Sequence, residues 1–287
     1  MSSKFSDPHF RGSAFVLAAS LCFSTGGLLM KFIPWNALTI NGARNAISSA
    51  VIGLFILAAR HKLKFNLTVF IGALSMAGVT TLFALANKLT TAGNTIILQY
   101  TAPIWLVLLM FFIFGKKPDR TALLSILIVF LGICCFFFES LSSGKWLGDF
   151  FALLSGIFYA GVFMLNSFEK GDALSSVFFG QLFCGVFLTP LVLRESVFTF
   201  PVLLSVFLLG AVQVGLAYIF FTSGIKYTDP VTASIINALE PILNPILVAV
   251  FYGETPGRLA LVGAVIVICG ILFYNIKKGR AADGGTP

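Results

Sequence analysis

KYTDPVTASIINALEPILNPILVAVFYGETP, residues Lys226 to Pro256, decides how the rest of the chain is read. The stretch is apolar and exceeds the roughly 20 residues that a helix needs to cross a bilayer. Glu240 stands at its middle, the one carboxylate that the sequence places deep inside a hydrophobic segment. A charge at that depth costs about 2.5–3.5 kcal/mol on insertion scales, so such residues mark pathways and binding sites. Pro241 and Pro245 follow closely. Each lacks an N–H, which deprives the carbonyls of Asn237 and Pro241 of their helical partners. Ser234, Asn237, Glu240 and Asn244 are spaced to share one helical face. Broken backbone, freed carbonyls, amides and an acid in mid-membrane are what discontinuous helices bring to transporter sites. The alternative is a proline-bent helix whose neutral acid is hydrogen-bonded to a neighbouring helix.

Composition sets the class. Of 287 residues, 58% are hydrophobic, 10% are charged and 32 are Phe, and the mean hydropathy is +0.98. Soluble domains carry roughly 25% charged residues. The expectation is an all-α, polytopic membrane protein. Ten hydrophobic segments run near 12–32, 39–59, 67–87, 93–114, 121–138, 148–166, 174–193, 201–222, 229–251 and 258–276. The loops between them are short, and the first segment is too long for a signal-peptide core, so it is kept as a helix.

Basic residues orient the chain. With the N-terminus inside, 13 Lys and Arg fall in cytoplasmic loops and tails, 5 fall outside, and Arg44 lies within a segment. Both termini are therefore expected in the cytoplasm, and the net charge of +8 reflects topology and contact with anionic lipid. No basic groove interleaved with aromatics is present, which argues against a nucleic-acid partner. Cys22, Cys134, Cys135, Cys184 and Cys269 all lie inside segments, with neither a zinc pattern nor a disulfide framework. No phosphate loop or nucleophile–base set emerges. The sequence thus predicts neither an enzyme nor a bound cofactor or metal.

An internal repeat has an offset of 138 residues. It lays ANKLTTAGNTIILQYTAPIWLVLLMFFIFGKKPDR over TSGIKYTDPVTASIINALEPILNPILVAVFYGETPGR, pairing Lys88 with Lys226, Pro103 with Pro241, Gly115 with Gly253, Pro118 with Pro256 and Arg120 with Arg258. Gly132 pairs with Gly270 at the same shift. With a two-residue adjustment, Gly12, Phe15 and Phe32 meet Gly148, Phe151 and Phe168. Each unit holds five helices, residues 12–143 and 148–276. An odd number forces the copies to enter the membrane from opposite sides, the mark of an inverted-repeat, alternating-access transporter.

Each unit has a Pro-bearing fourth helix, a Gly-x-x-Pro turn and a Gly-rich fifth helix. The pair resembles EamA domains of the drug/metabolite transporter superfamily. The most specific pieces are Leu239-Glu240-Pro241 and Tyr252-Gly253-Glu254-Thr255-Pro256. The resemblance implies that helices one to four of each unit line a central cavity and that the fifth helices are outer supports. The first unit departs from the pattern, with Ala102 where the second has Glu240 and Lys116 where it has Glu254.

Polar stripes mark the other helices. Asn41, Arg44, Asn45 and Ser48 share one face of the second. Arg44 is read either as snorkelling to headgroups or as a bidentate clamp on a carboxylate or phosphate. Thr95 and Gln99 face together on the fourth helix, and Ser155, Tyr159 and Asn166 on the sixth. Ser20 and Ser24 lie on the first, and Gln213, Tyr218 and Thr222 on the eighth. Tyr100 and Trp105 are read as packing or lipid contact. Lys88 is read as structural, and Glu254 as a gate or loop contact at the outer end.

The candidate substrate residues are Glu240, Asn237, Asn244, Arg44, Asn41, Gln99, Tyr159, Tyr218 and Ser24, with Glu240 also carrying the proton. An acid opposite a guanidinium suits a small polar or amphoteric metabolite such as an amino acid. The expectation is a plasma-membrane (inner-membrane) secondary transporter, monomer or homodimer, driven by proton coupling or exchange. An organic-cation or drug exporter is the alternative within transport. A membrane-embedded lipid-modifying enzyme or a non-transporting scaffold is the alternative outside it.

Overall fold

The structure is a computed structural model that describes residues 8–164, 168–224, 227, 236–237 and 239–283. Ser234, Asn166 and Lys226 lie outside the described residues. Among the described residues every regular element is a helix. In chain order these are α1 (Pro8–Ser24), α2 (Gly26–Lys31), α3 (Ala37–Ala58), α4 (Leu67–Leu89), α5 (Ala92–Gln99), α6 (Ala102–Phe114), α7 (Arg120–Ser143) and α8 (Trp146–Met164). Then come α9 (Ala173–Val192), α10 (Phe200–Leu208), a π-helical stretch (Leu209–Leu216), α11 (Ala217–Gly224), α12 (Glu240–Tyr252) and α13 (Arg258–Asp283). Seven helical runs are long and apolar enough to cross a membrane, and Trp146–Val162, Glu240–Tyr252 and Arg258–Tyr274 are shorter apolar helices.

Side-chain caps start the helices at the loop junctions. Asn36, Asn66, Thr91 and Asp172 each accept the backbone N–H three residues on, satisfying a donor that the first turn leaves orphaned. Asn66, which belongs to an Asn-x-Thr triplet, is thereby used as a cap.

The repeat reappears in the coordinates. The fourth segment of the first unit breaks after Gln99 and restarts as α6 at Ala102, with Pro103 in its first turn. Its mate restarts as α12 at Glu240, with Pro241 in its first turn. Both new helices run 13 residues and end on a left-handed glycine, Gly115 at φ 66° and Gly253 at φ 75°. A side chain at either glycine would strain that turn. Proline is best tolerated in the first turn of a helix, and each break sits where a proline opens the new one. Pro245 remains inside α12.

The contacts obey a pseudo-twofold rule. α3 packs on α9 and α7 on α13, each a helix against its own repeat mate, and α5 packs on α12, the helix that follows the break in the ninth segment. The packing of α4 on α8 is matched by that of α11 on α1. The fifth-segment pair α7 and α13 meets through the repeat-related Gly132 and Gly270, against Val267 and Val129 respectively. Small residues also bring α3 and α9 together. A Cβ on Gly42 would stand 2.6 Å from the backbone of Leu188, and one on Gly185 would stand 2.8 Å from the Cα of Ala46. Such close backbone approach is how apolar helices gain packing in lipid. Phe112, Phe187, Leu193 and Val250 are exposed, whereas Asn41, Asn45, Ser48, Ser155 and Gln181 are fully buried. A soluble protein would reverse this arrangement.

The Gly42 contact makes a testable case. Gly42→Ala must move backbone and is expected to cost about 1–3 kcal/mol, as overpacked sites do. Gly53→Ala meets only the ring edge of Phe178, at 3.2 Å, and should cost less than half as much. Thermal melting of the two purified variants, with Gly42→Ala unfolding first, is the check.

Candidate functional site

One cavity lies where the broken helices meet α3, α4, α8 and the π-helical stretch. Its volume is about 50 Å³, and its walls include Arg44, Gln99, Tyr100, Tyr159, Gln213, Tyr218 and Glu240 among Phe23, Met76, Val79, Thr80, Phe83 and Val214. Five of the nine sequence-predicted site residues are thus brought together: Arg44, Gln99, Tyr159, Tyr218 and Glu240. Small-molecule sites commonly take this form, mostly apolar with a few convergent polar groups.

Glu240 caps the break in the ninth segment and is 7% exposed. Its Oε2 accepts a 2.5 Å hydrogen bond from the Tyr100 hydroxyl. Asn237 Nδ2 donates to that hydroxyl at 2.9 Å, and the Asn237 carbonyl, freed by Pro241, stands 3.3 Å from it. Tyr100 therefore faces the acid and does not serve as packing alone. This corrects the expectation from the sequence. Its hydroxyl lies between the acid and the carbonyl that the proline leaves unpaired, with the acid the nearer acceptor.

Arg44 is 2% exposed. Its Nε and Nη2 donate to Asn41 Oδ1 at 3.2 and 3.1 Å, Nη2 also donates to the Thr80 carbonyl at 2.8 Å, and the guanidinium lies over the Phe83 ring at 5.8 Å. Asn41 is itself held by donating to Thr81 Oγ1 at 2.9 Å. Among the described residues the salt bridges are Lys31–Glu254 and His61–Asp172, and neither involves Arg44. A buried cation held only by neutral groups is costly. The side chain turns inward to a cavity wall, which is not the geometry of a snorkelling arginine.

The remaining predicted residues sit behind the walls. Asn41 positions Arg44, and Asn237 positions Tyr100. Ser24 donates to the Ser20 carbonyl at 2.7 Å within its own helix. Asn244 is fully buried, and its amide occupies the space that a side chain at Gly27 would need. Gln99 reaches Ser155 Oγ at 3.2 Å, and Tyr159 shares a side-chain hydrogen bond with Tyr218. Gln213 comes from the π-helical stretch, whose Gly210 lies against Ile47 and the Arg44 carbonyl. Single-turn π insertions are frequent at functional sites.

Polar clusters tie the two units at both ends of the bundle. At one end Lys31 Nζ pairs with Glu254 Oε2 at 2.7 Å, Glu254 Oε1 accepts the Ala92 N–H at 2.8 Å, and Lys31 also donates to the Thr90 carbonyl. Nearby, buried Asp149 accepts from Thr90 Oγ1 at 2.6 Å and from Asn94 Nδ2 at 3.2 Å. Lys88 donates to the Ile33 carbonyl at 2.6 Å, in keeping with its structural reading. At the other end His61 meets Asp172 at 3.3 Å, and Asn66 donates to the Lys170 carbonyl at 3.0 Å. Asp149, at the start of its segment, is a second buried carboxylate that the sequence reading passed over. Among the described residues no group of three His, Cys, Asp or Glu side chains could hold a metal ion.

Comparison with known proteins gives the chain a family. No curated protein matches it. A solved crystal structure 18% identical in sequence superposes with a TM-score of 0.66, covering 97% of this chain and 100% of the other, and so shares the fold. The sequence pattern of the EamA-like transporter family matches residues 10–138 and again residues 146–276. The chain is a multi-pass membrane protein that belongs to the EamA-like transporter family, in the drug/metabolite transporter superfamily.

Proposed function

We propose that this protein is a secondary active transporter that carries a small amphoteric metabolite, of amino-acid type, by alternating access. The observation that carries this reading is the cavity itself, with an acid on one wall and, on another, an arginine that has no carboxylate partner among the described residues. The acid takes an ammonium group or a proton. The guanidinium takes a carboxylate through its planar fork. Ten spans form two inverted five-helix units, residues 12–143 and 148–276, and the pseudo-twofold contacts support that arrangement. Both termini lie in the cytoplasm of a plasma-membrane protein, and the 13-to-5 bias of basic residues supports that orientation.

A thermal-shift screen of the purified protein against single amino acids, choline, methylammonium and acetate tests the substrate class. Ligands of the native state raise its stability by mass action. An amino acid should shift the melting point more than methylammonium or acetate, each of which engages only one of the two charges. A shift with choline and none with any amino acid would favour the organic-cation reading, which the aromatic walls formed by Phe23, Phe83, Tyr100, Tyr159 and Tyr218 support.

The topology has its own test. In a background free of cysteine, single cysteines at positions 63 and 118 should be labelled from the cytoplasm and one at position 143 from outside. Labelling of all three from one side would remove the inverted repeat.

A further inference from the structure

We propose that Tyr100 is a positioning residue that ties the two repeats together at the cavity through Glu240, and that a substrate cation must break this tie to bind. Tyr100 ends the first half of the broken fourth segment, and Glu240 opens the second half of its repeat mate. Their 2.5 Å hydrogen bond therefore spans the two units at the two helix breaks. Asn237 fixes the direction of the proton. Its Nδ2 donates to the hydroxyl oxygen at 2.9 Å, so the hydroxyl must donate onward, to Glu240 Oε2 or to the more distant Asn237 carbonyl.

The geometry makes the hydroxyl and a cation rivals. A carboxylate that receives a phenol has a partner while the cavity is empty. A bound ammonium group gives the acid a charged donor, and the stronger, charge-assisted bond prevails. The Tyr100 hydroxyl then retains the freed Asn237 carbonyl, 3.3 Å away, as its acceptor. The exchange leaves neither the acid nor the hydroxyl without a partner, and it removes one hydrogen bond between the fourth segment of one unit and the ninth segment of the other. Occupancy of the site thus reaches one of the contacts that join the units. This rests on the reading of Glu240 as a cation site.

The test uses the full chain in lipid nanodiscs, in a cysteine-free background. Spin labels are placed at Lys117→Cys and Tyr227→Cys, both exposed, near the broken helices. Distance distributions are then recorded without any solute. Wild type and Glu240→Gln, whose amide oxygen still accepts the hydroxyl, should give one shared narrow distribution. Tyr100→Phe and Glu240→Leu, which both lose the bond, should broaden it or add a second population. Adding methylammonium should move wild type toward the Tyr100→Phe distribution and leave Tyr100→Phe unmoved. Superimposable distributions for wild type and Tyr100→Phe would overturn the tie. A tie that methylammonium leaves untouched overturns the exchange step, and with it the cation reading of Glu240, while the tie itself stands. Should Tyr100→Phe fail to fold, Glu240→Leu carries the same test, because it removes the acceptor of the bond and keeps Tyr100.

Discussion

Glu240→Gln is expected to reach the membrane folded and to lose proton-driven accumulation of substrate down to the level of empty vesicles. The substitution preserves shape and an acceptor for the Tyr100 hydroxyl. It removes the one group in the cavity that can exchange a proton for a substrate cation. A hydrogen bond to a charged group is worth about 1.5–3 kcal/mol, so affinity for an ammonium group should also fall by about 10-fold to 100-fold. In wild type, proton and cation compete for one carboxyl, so binding should strengthen as pH rises through its titration. The variant should bind with no such dependence. Uptake into proteoliposomes under an imposed pH gradient, with binding followed across pH, measures both effects. Accumulation by Glu240→Gln at the wild-type rate would make the acid a structural group.

Arg44→Lys should separate the two halves of the substrate. A lysine supplies a point charge where the carboxylate expects a planar fork, and it cannot reproduce the three contacts that Arg44 makes with Asn41 and the Thr80 carbonyl. Affinity for an amino acid is expected to drop by about 10-fold to 100-fold, the loss of about 1.5–3 kcal/mol that goes with a hydrogen bond to a charged group. Affinity for methylammonium, which offers no carboxylate, should hardly change. Equal kinetics for wild type and Arg44→Lys with an amino acid would return Arg44 to a structural role. Arg44→Ala is the less informative variant. It removes three buried hydrogen bonds and the guanidinium over Phe83, so lost stability would accompany lost binding.

Much of this architecture was legible in the residues because the constraints behind it are local. A proline in a fourth segment dictates where the helix must restart, and a glycine 13 residues beyond the restart dictates where it ends. Both features repeat at an offset of 138, so α6 and α12 match in the sequence itself. Glu240 and Arg44 stood out because a charge in hydrocarbon is expensive wherever it lies. Periodicity, however, reports the face of a helix and not the neighbour it meets. Asn41 and Arg44 share a face, yet only the long side chain reaches the cavity, and the short one becomes its anchor. Tyr100 looked like an ordinary aromatic because its partner lies 140 residues away. The signal that could have found it was the Asn237 carbonyl, which needed a donor. The π-helical stretch that presents Gln213 carries no sequence mark, since one extra residue in a turn alters no composition or period strongly enough to see. Asp149 was passed over because it sits near the water-facing end of its segment, where an acid in a first helical turn usually needs no further explanation.

Counterflow tests the central claim most directly. Proteoliposomes are loaded with an unlabelled amino acid that gave a thermal shift, then diluted into a trace of the same compound carrying label. An alternating-access carrier should draw the label in above its external concentration, transiently, and release it chemically unchanged as the trapped pool runs down. The overshoot should be absent from vesicles without protein. Label that only equilibrates, or that is recovered as a different compound, would contradict the account.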